Sequence, residues 1–328
     1  IPPGGVNLQG MGADQPIFAV DQILYPGQAI AMVIAESEQL AIEIAEFASS
    51  NCLAYKPINW QKGWEKPIMS IDEAIEKESI FPDCPKSSPF VTHIWKITRP
   101  GTELYWTNEN KKPLDKKPVK RKTKVDGNNC LVIENTQVSG EQIHFYMETQ
   151  SCVAIPEDDN QILIHPSSQS PMEMHQTAAI SLAAEHNKVN IDVRQLGGGY
   201  GGKTEQAKFV IGPVAVAAKA LNIPIRMALK REHDTAMIGK RHGYYGQYQI
   251  AVDQGDIREE DKGIIRGLLV KLWGDGGAFY DCSFVVSNCI QLRLDNAYLI
   301  KNFESQLDVC RTNKAPNTAM RAFGDIQG

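Results

Sequence analysis

The chain has 328 residues, 42% of them hydrophobic and 22% charged, which is the balance of a globular protein and not of a disordered one. Its 34 Lys and Arg against 39 Asp and Glu leave a net charge of −5, which argues against a general nucleic-acid binder. No run approaches the ~18 apolar residues of a membrane span, and the start lacks the basic-then-apolar order of a secretory signal.

At roughly 150 residues per domain, the length suggests about two domains. In residues 16–35, "PIFAVDQILYPGQAIAMVIA", two apolar segments flank Pro26-Gly27 and predict strand, turn and strand. Ser37 can cap a helix over 38–50 with Leu40, Ile44 and Phe47 on one face, and 53–58 resumes an extended pattern. The unit reads as β-β-α-β. Ser70-Ile71-Asp72-Glu73 fits a capping box that starts a short helix through about Lys77. Residues 81–129 carry several prolines, and eight of the fourteen residues from 111 to 124 are Lys or Arg. Self-repulsion makes that run an extended, solvated surface loop; its alternative is a nuclear-localisation or polyanion-binding patch.

A second body begins near Leu131. Strands are predicted in "FYMETQSCVAIP" and "QILIHPS", a helix over 172–186, a strand over 189–196, and then a glycine loop. A further helix runs to about Asn222, kinked or split by Pro213. "IPIRMAL", "YYGQYQIAV" and "GIIRGLLVKLWGD" are further strands. Mixed helices and antiparallel-looking strands give an α+β class. The seven cysteines are odd in number and contain no CxxC pair, so neither a zinc ribbon nor an iron–sulfur ligand set is visible and reduced thiols are the default.

The loop 197–204 is Gly197-Gly198-Gly199-Tyr200-Gly201-Gly202-Lys203-Thr204. It satisfies both G-x-x-x-x-G-K-[ST] and G-x-G-x-x-G, with a strand before it and a helix after it. Glycines let backbone N–H groups approach an anion, and a helix N-terminus adds positive potential. A P-loop enzyme also needs an acidic magnesium site at a strand end, and "LLVKLWGD" is a poor candidate because Lys271 interrupts it. A purely structural glycine turn is the other local reading.

Several blocks in one order carry a resemblance. "QLGGGYGGK" resembles the glycine-rich loop of the molybdenum-binding part of the xanthine dehydrogenase / aldehyde oxidase family. "PIFAVDQILYPGQAIAMVIAES" and "PIMSIDEAI" resemble the second half of its α/β-hammerhead domain. "GEQIHFYMETQSCVAIP" resembles the start of its first molybdopterin-binding domain, which "RMALKREHDTAMIGKRHGYYGQYQI", "LDNAYLI" and "TNKAPNTAMRAFGDIQG" continue. The resemblance implies a hammerhead part over 1–80, a linker with a basic insertion over 81–130 and the first part of a molybdopterin-binding domain over 131–328. It implies hydroxylation of an aldehyde or N-heterocycle with water as oxygen source at a molybdopterin cofactor (Mo). The 2Fe-2S and FAD centres would lie in other domains, in a cytoplasmic or peroxisomal homodimer.

The same resemblance assigns residues. Gln169 matches the glutamine that hydrogen-bonds the apical molybdenum oxo group. Tyr200 and Gly201 match an aromatic-glycine pair beside the metal, where the family usually has Phe at position 200. Arg321 matches the arginine beside the cofactor, and Phe323 an aromatic that stacks on substrate. No side chain of the chain is expected as a metal ligand, and His144, His165, His175, His186, His233 and His242 show no ligand spacing. Two positions depart from xanthine-oxidising members: Thr204 stands where they have Glu, and Cys289 where they have an arginine. Losing both charges implies a neutral pocket and an aldehyde-oxidase-like preference; a one-residue shift would restore Glu205 to the role. The family's general-base glutamate would lie beyond Gly328. The chain therefore reads as an excerpt, expected to be inactive alone. A P-loop nucleotide-binding protein and a non-catalytic homologue are the alternatives.

Overall fold

A computed structural model describes residues 2–11, 13–55, 66–82, 93–99 and 118–328. In chain order the elements are β1 (Leu8–Gln9), β2 (Gln15–Pro16), α1 (Glu38–Asn51), α2 (Ile71–Glu76), β3 (Lys96–Thr98), β4 (Val119–Val125), β5 (Asn128–Ser139), β6 (Ser151–Pro156), β7 (Ile162–Pro166), α3 (Pro171–Leu182), β8 (Val189–Ile191), α4 (Lys208–Leu221), β9 (Ile225–Ala228), α5 (Arg231–Met237), β10 (Tyr244–Asp253), β11 (Ile265–Gly277), α6 (Ser283–Gln291) and β12 (Asn302–Arg311).

Two sheets carry the architecture. The smaller has the order β8-β7-β6-β9, with only β7 and β8 parallel. Alternation along β6 and β7 turns Cys152, Ala154, Ile162 and Ile164 inward. They meet Met174 and Ala178 of α3 and Val210, Ile211 and Val214 of α4 in one apolar core. Helix α4 is buried almost all round, as its near-continuous apolar sequence requires. Pro213 sits inside it without splitting it, at the cost of one ladder hydrogen bond.

The larger sheet has the order β3-β12-β11-β10-β5-β4. Its β11–β12 pair is parallel and its other pairs are antiparallel, so the sheet is mixed. A parallel pair needs a crossover, and α6 supplies it, packing Phe284, Val286 and Ile290 with Leu272, Leu307 and Val309. The α+β class therefore holds.

Several sequence expectations are corrected. Residues 17–35 form no strand. The turn at Pro26-Gly27 is present, closed by Gln28 N on Tyr25 O and Ala19 N on Ala29 O. The flanking side chains serve as anchors to the second body and not as a sheet: Tyr25 is buried against Phe279, and Ile17 touches Gly212 of α4. Helix α1 is capped by Ser37 as predicted, yet Leu40, Ile44 and Phe47 are 44%, 41% and 64% exposed. Residues 53–55 are not a strand, and the rest of the strand predicted over 53–58 lies outside the described residues. So does the basic run up to residue 117. Its remainder is not a loop: β4 pairs with β5 as an edge strand, with Lys120, Lys122 and Lys124 exposed. Charged side chains on an edge strand block further pairing, so repulsion is compatible with a ladder here. Helix α3 ends at Leu182, ahead of the predicted 186, because Ala183 takes a left-handed φ of 52°. Strand β8 is correspondingly short.

Candidate functional site

The segment between β8 and α4 can fold back on itself because five of its six residues from 197 to 202 are glycine. Gly201 has φ +99°, and a Cβ there would stand 2.4 Å from Ala319 O. Only glycine permits both that conformation and that approach. A Cβ on Gly199 would meet Gln169 Oε1 at 2.4 Å. Tyr200 adopts φ +50° between them and leaves its ring about half exposed.

Gln169 lies between β7 and α3. Its backbone N–H donates to Lys203 O at 2.8 Å, which fixes it against the loop. Its Oε1 accepts from Gly201 N at 2.9 Å and from Lys203 N at 3.4 Å. Backbone N–H groups only donate, so the amide orientation is determined and the exposed Nε2 end is the free donor. Arg321 comes from the far end of the chain. Its N–H donates to Tyr200 O at 2.9 Å, and its side chain is exposed. Gln169, Tyr200, Gly201 and Arg321 are thus brought together.

Two residues with no predicted role hold the 319–321 strip. His144 Nε2 donates to Ala319 O at 2.9 Å; burial lowers its pKa and keeps the ring neutral. Arg241, buried, donates to Met320 O and, at 2.8 Å, to Arg321 O. Both lie within sequence blocks that carry the family resemblance, but nothing in the blocks marks them as backbone clamps.

Below the loop lies a buried polar network. Glu148 Oε2 accepts from Gly197 N at 2.8 Å, Ser167 Oγ at 2.7 Å and Lys203 Nζ at 3.1 Å. Partial burial pushes this carboxyl up, but those three donors outweigh it and hold the pKa below the usual value. Lys203 Nζ also donates to Ser167 Oγ at 2.7 Å and lies 4.7 Å from the Tyr146 ring centroid. Its side chain is fully buried, and desolvation lowers its pKa. Tyr146 donates to Asp234 at 2.8 Å.

This geometry overturns the P-loop reading. The lysine that should reach a phosphate is sealed beneath the loop. Thr204 Oγ1 donates to Gly201 O at 2.7 Å, and the N–H groups of Gly197, Gly201 and Gly202 are spent on protein acceptors. Helix α4 starts only at Lys208, so its N-terminus does not open on the loop.

The substrate-side positions have separate supports. Thr204 is tied back to Gly201. Cys289, on α6 and half-buried, packs against Gly324, and burial pushes its thiol up. Phe323 is half-buried against the core of the larger sheet. Glu205 is 5% exposed and its carboxylate lies 3.3 Å from Lys208 Nζ, so a one-residue shift would offer a residue that is already committed. Among the described residues no group of three or more His, Cys, Asp or Glu is arranged to hold a metal. No helix among them is long and apolar enough to cross a membrane.

Residues 123–328 match the family described as Molybdopterin cofactor-binding domain. The chain belongs to this family. The molybdopterin-domain chain is 30% identical to Aldehyde oxidase 2 of Cavia porcellus over 96% of its own length and 20% of the relative's. It is equally, 30%, identical to Xanthine dehydrogenase of Calliphora vicina, over 96% of the chain and 20% of the relative. The chain therefore spans about a fifth of the curated relatives it matches. In fold it is similar to the aldehyde oxidoreductase of Desulfovibrio desulfuricans ATCC 27774, with a TM-score of 0.71 at 19% identity, covering 98% of this chain and 33% of that one. The exposed rim of the molybdopterin domain suits such a cofactor: the fixed amide of Gln169 leaves a free donor, and Arg321, tied by its backbone to Tyr200, is an exposed cation on the same rim.

Proposed function

We propose that this chain contributes the first part of the molybdenum centre of a larger hydroxylase, which oxidises an aldehyde or N-heterocycle with water as oxygen source. The observation that carries the proposal is Gln169. Its carbonyl end is consumed by two loop N–H groups, so its amide N–H₂ is presented beside Tyr200 and Arg321. When bound, the molybdenum cofactor would supply two-electron redox chemistry, with 2Fe-2S and FAD centres expected in other domains. The residues of this chain bind and orient. Gln169 would donate to an oxo-type acceptor, and Arg321 would offset negative charge. His144 and Arg241 hold the strip that carries Arg321.

We further propose an aldehyde-oxidase-like preference. Thr204 and Cys289 offer no charge at the two positions where purine recognition would need it, and the Thr204 hydroxyl is already bonded within the loop. A polar purine edge placed there would lose its hydration without a charged partner.

The test uses the complete polypeptide that carries this chain. It should contain molybdenum and turn over an aromatic aldehyde far faster than xanthine. Gln169→Ala should lower that turnover by roughly 10–100-fold. A metal-free native protein would overturn the first proposal; efficient xanthine turnover would overturn the second.

A further inference from the structure

His175 and His186 lie away from the glycine loop and come together in the fold although their spacing in sequence gives no sign of it. His175 is in α3. His186 opens a short 3₁₀ turn, His186–Lys188, that leads into β8. The chain between them is well fixed: Ala183 N bonds to Ile180 O and Ala184 N to Ala179 O. The imidazole planes lie 28° apart, with ring centroids separated by 5.2 Å. His175 Nε2 is 2.9 Å from His186 O, and the two Nδ1 atoms are 3.5 Å apart.

These distances determine which atoms carry protons. A carbonyl oxygen only accepts, so His175 Nε2 bears the hydrogen and its Nδ1 presents a lone pair. That lone pair faces His186 Nδ1. A separation of 3.5 Å is long for a hydrogen bond to nitrogen. It is close to the ~3.3 Å expected for two nitrogens each ~2.05 Å from a tetrahedral zinc ion, and further from the ~2.9 Å of neighbouring ligands in a square-planar site. The second ring nitrogen of His175 is already anchored on a backbone carbonyl, the arrangement that orients metal-ligating histidines.

We propose that His175 and His186 form a two-histidine chelate for a zinc-like divalent cation. His186 is exposed and His175 half-buried, so the ion has a way in. With two protein ligands, water fills the remaining positions. The bound ion ties α3 to the turn before β8, the helix that starts two residues after Gln169. The site is separate from the molybdenum centre and does not depend on its assignment.

The test measures zinc uptake by equilibrium dialysis on the complete polypeptide, comparing wild type with His175→Ala, His186→Ala and, as a control, the exposed His233→Ala. Wild type and His233→Ala should each bind one more zinc per chain than the other two. Cobalt in place of zinc should give the visible bands of tetrahedral Co²⁺ in the same two proteins only. Because His186 is exposed, His186→Ala should melt like wild type without zinc and lose only the rise in Tm that zinc produces. Equal zinc uptake by all four proteins would overturn the proposal.

Discussion

Lys203 is fully buried, with its ammonium between Ser167, Glu148 and the Tyr146 ring. In sequence it sits where a nucleotide-binding lysine would sit, and the glycines before it are equally suggestive. The difference lies in where the backbone donors go, and Glu148 and Gln169 collect them. Glu148, 49 residues before Gly197, carries no sequence sign of this role, and only the family resemblance places Gln169 beside the loop. Lys203→Met should leave Ser167 and Glu148 without their cation and cost about 1–2 kcal/mol, less than a fully buried ion pair because the Glu148 side chain is 38% exposed and keeps its bonds from Gly197 N and Ser167 Oγ. Urea unfolding would measure it. ATP should bind neither wild type nor variant in a filter-binding assay; ATP binding that the substitution abolishes would restore the nucleotide reading.

Elements differ in how openly the sequence declares them. Helices α1 and α2 are announced by their caps, and Ser37 and Ser70 accept from Leu40 N and Glu73 N as expected. Strand β4 is concealed because a Lys-rich segment reads as solvated chain. The cue lay just after it: Asp126 and Gly127, at φ 50° and 77°, form the two-residue turn into β5. Gly127 has open space around its would-be Cβ, so Gly127→Ala isolates the backbone term. It should destabilise the chain by about 1 kcal/mol, read as a lowered denaturation midpoint without a change of slope. Strand β12 and helix α6 were missed for another reason. Strand β12 does alternate, with Phe303, Ser305, Leu307 and Val309 turned in against Glu304, Gln306 and Asp308, but the inward Ser305 weakens the apolar signal, and a parallel partner of β11 has no hairpin turn to mark it. At the site, Gln169, Tyr200, Gly201 and Arg321 lie together while Thr204, Cys289 and Phe323 have separate supports, and the clamps His144 and Arg241 act through main-chain carbonyls and leave no motif.

At the scale of the whole molecule, a buried charged cluster among the described residues lies away from the cofactor rim. Lys208 is fully buried and lies 3.3 Å from Glu205 and 3.7 Å from Asp281, with Asp14 and Glu173 close by. Burial, and to a lesser extent Glu173, raises Glu205 from its ordinary 4.5 to about 7 despite Lys208. The folded state therefore holds a proton that the unfolded chain releases. The stability this confers is complete below about pH 4.5 and is lost as pH rises to about 7. Glu205→Gln lacks the titration. Between pH 5 and 8, thermal melts should show wild type losing stability relative to Glu205→Gln; a constant difference across that range would refute the assignment.

The hydrogen bond from Arg321 N to Tyr200 O joins two segments far apart in sequence. Contacts of that kind form slowly, since a long loop must close before they contribute. The cradle is therefore expected to close after both sheets exist to carry its two halves, which pulsed hydrogen exchange during refolding would test. A nascent or partly folded chain would have the glycine loop without its opposite wall. Maturation should accordingly be ordered in time, with the polypeptide completed first and its cofactor loaded second.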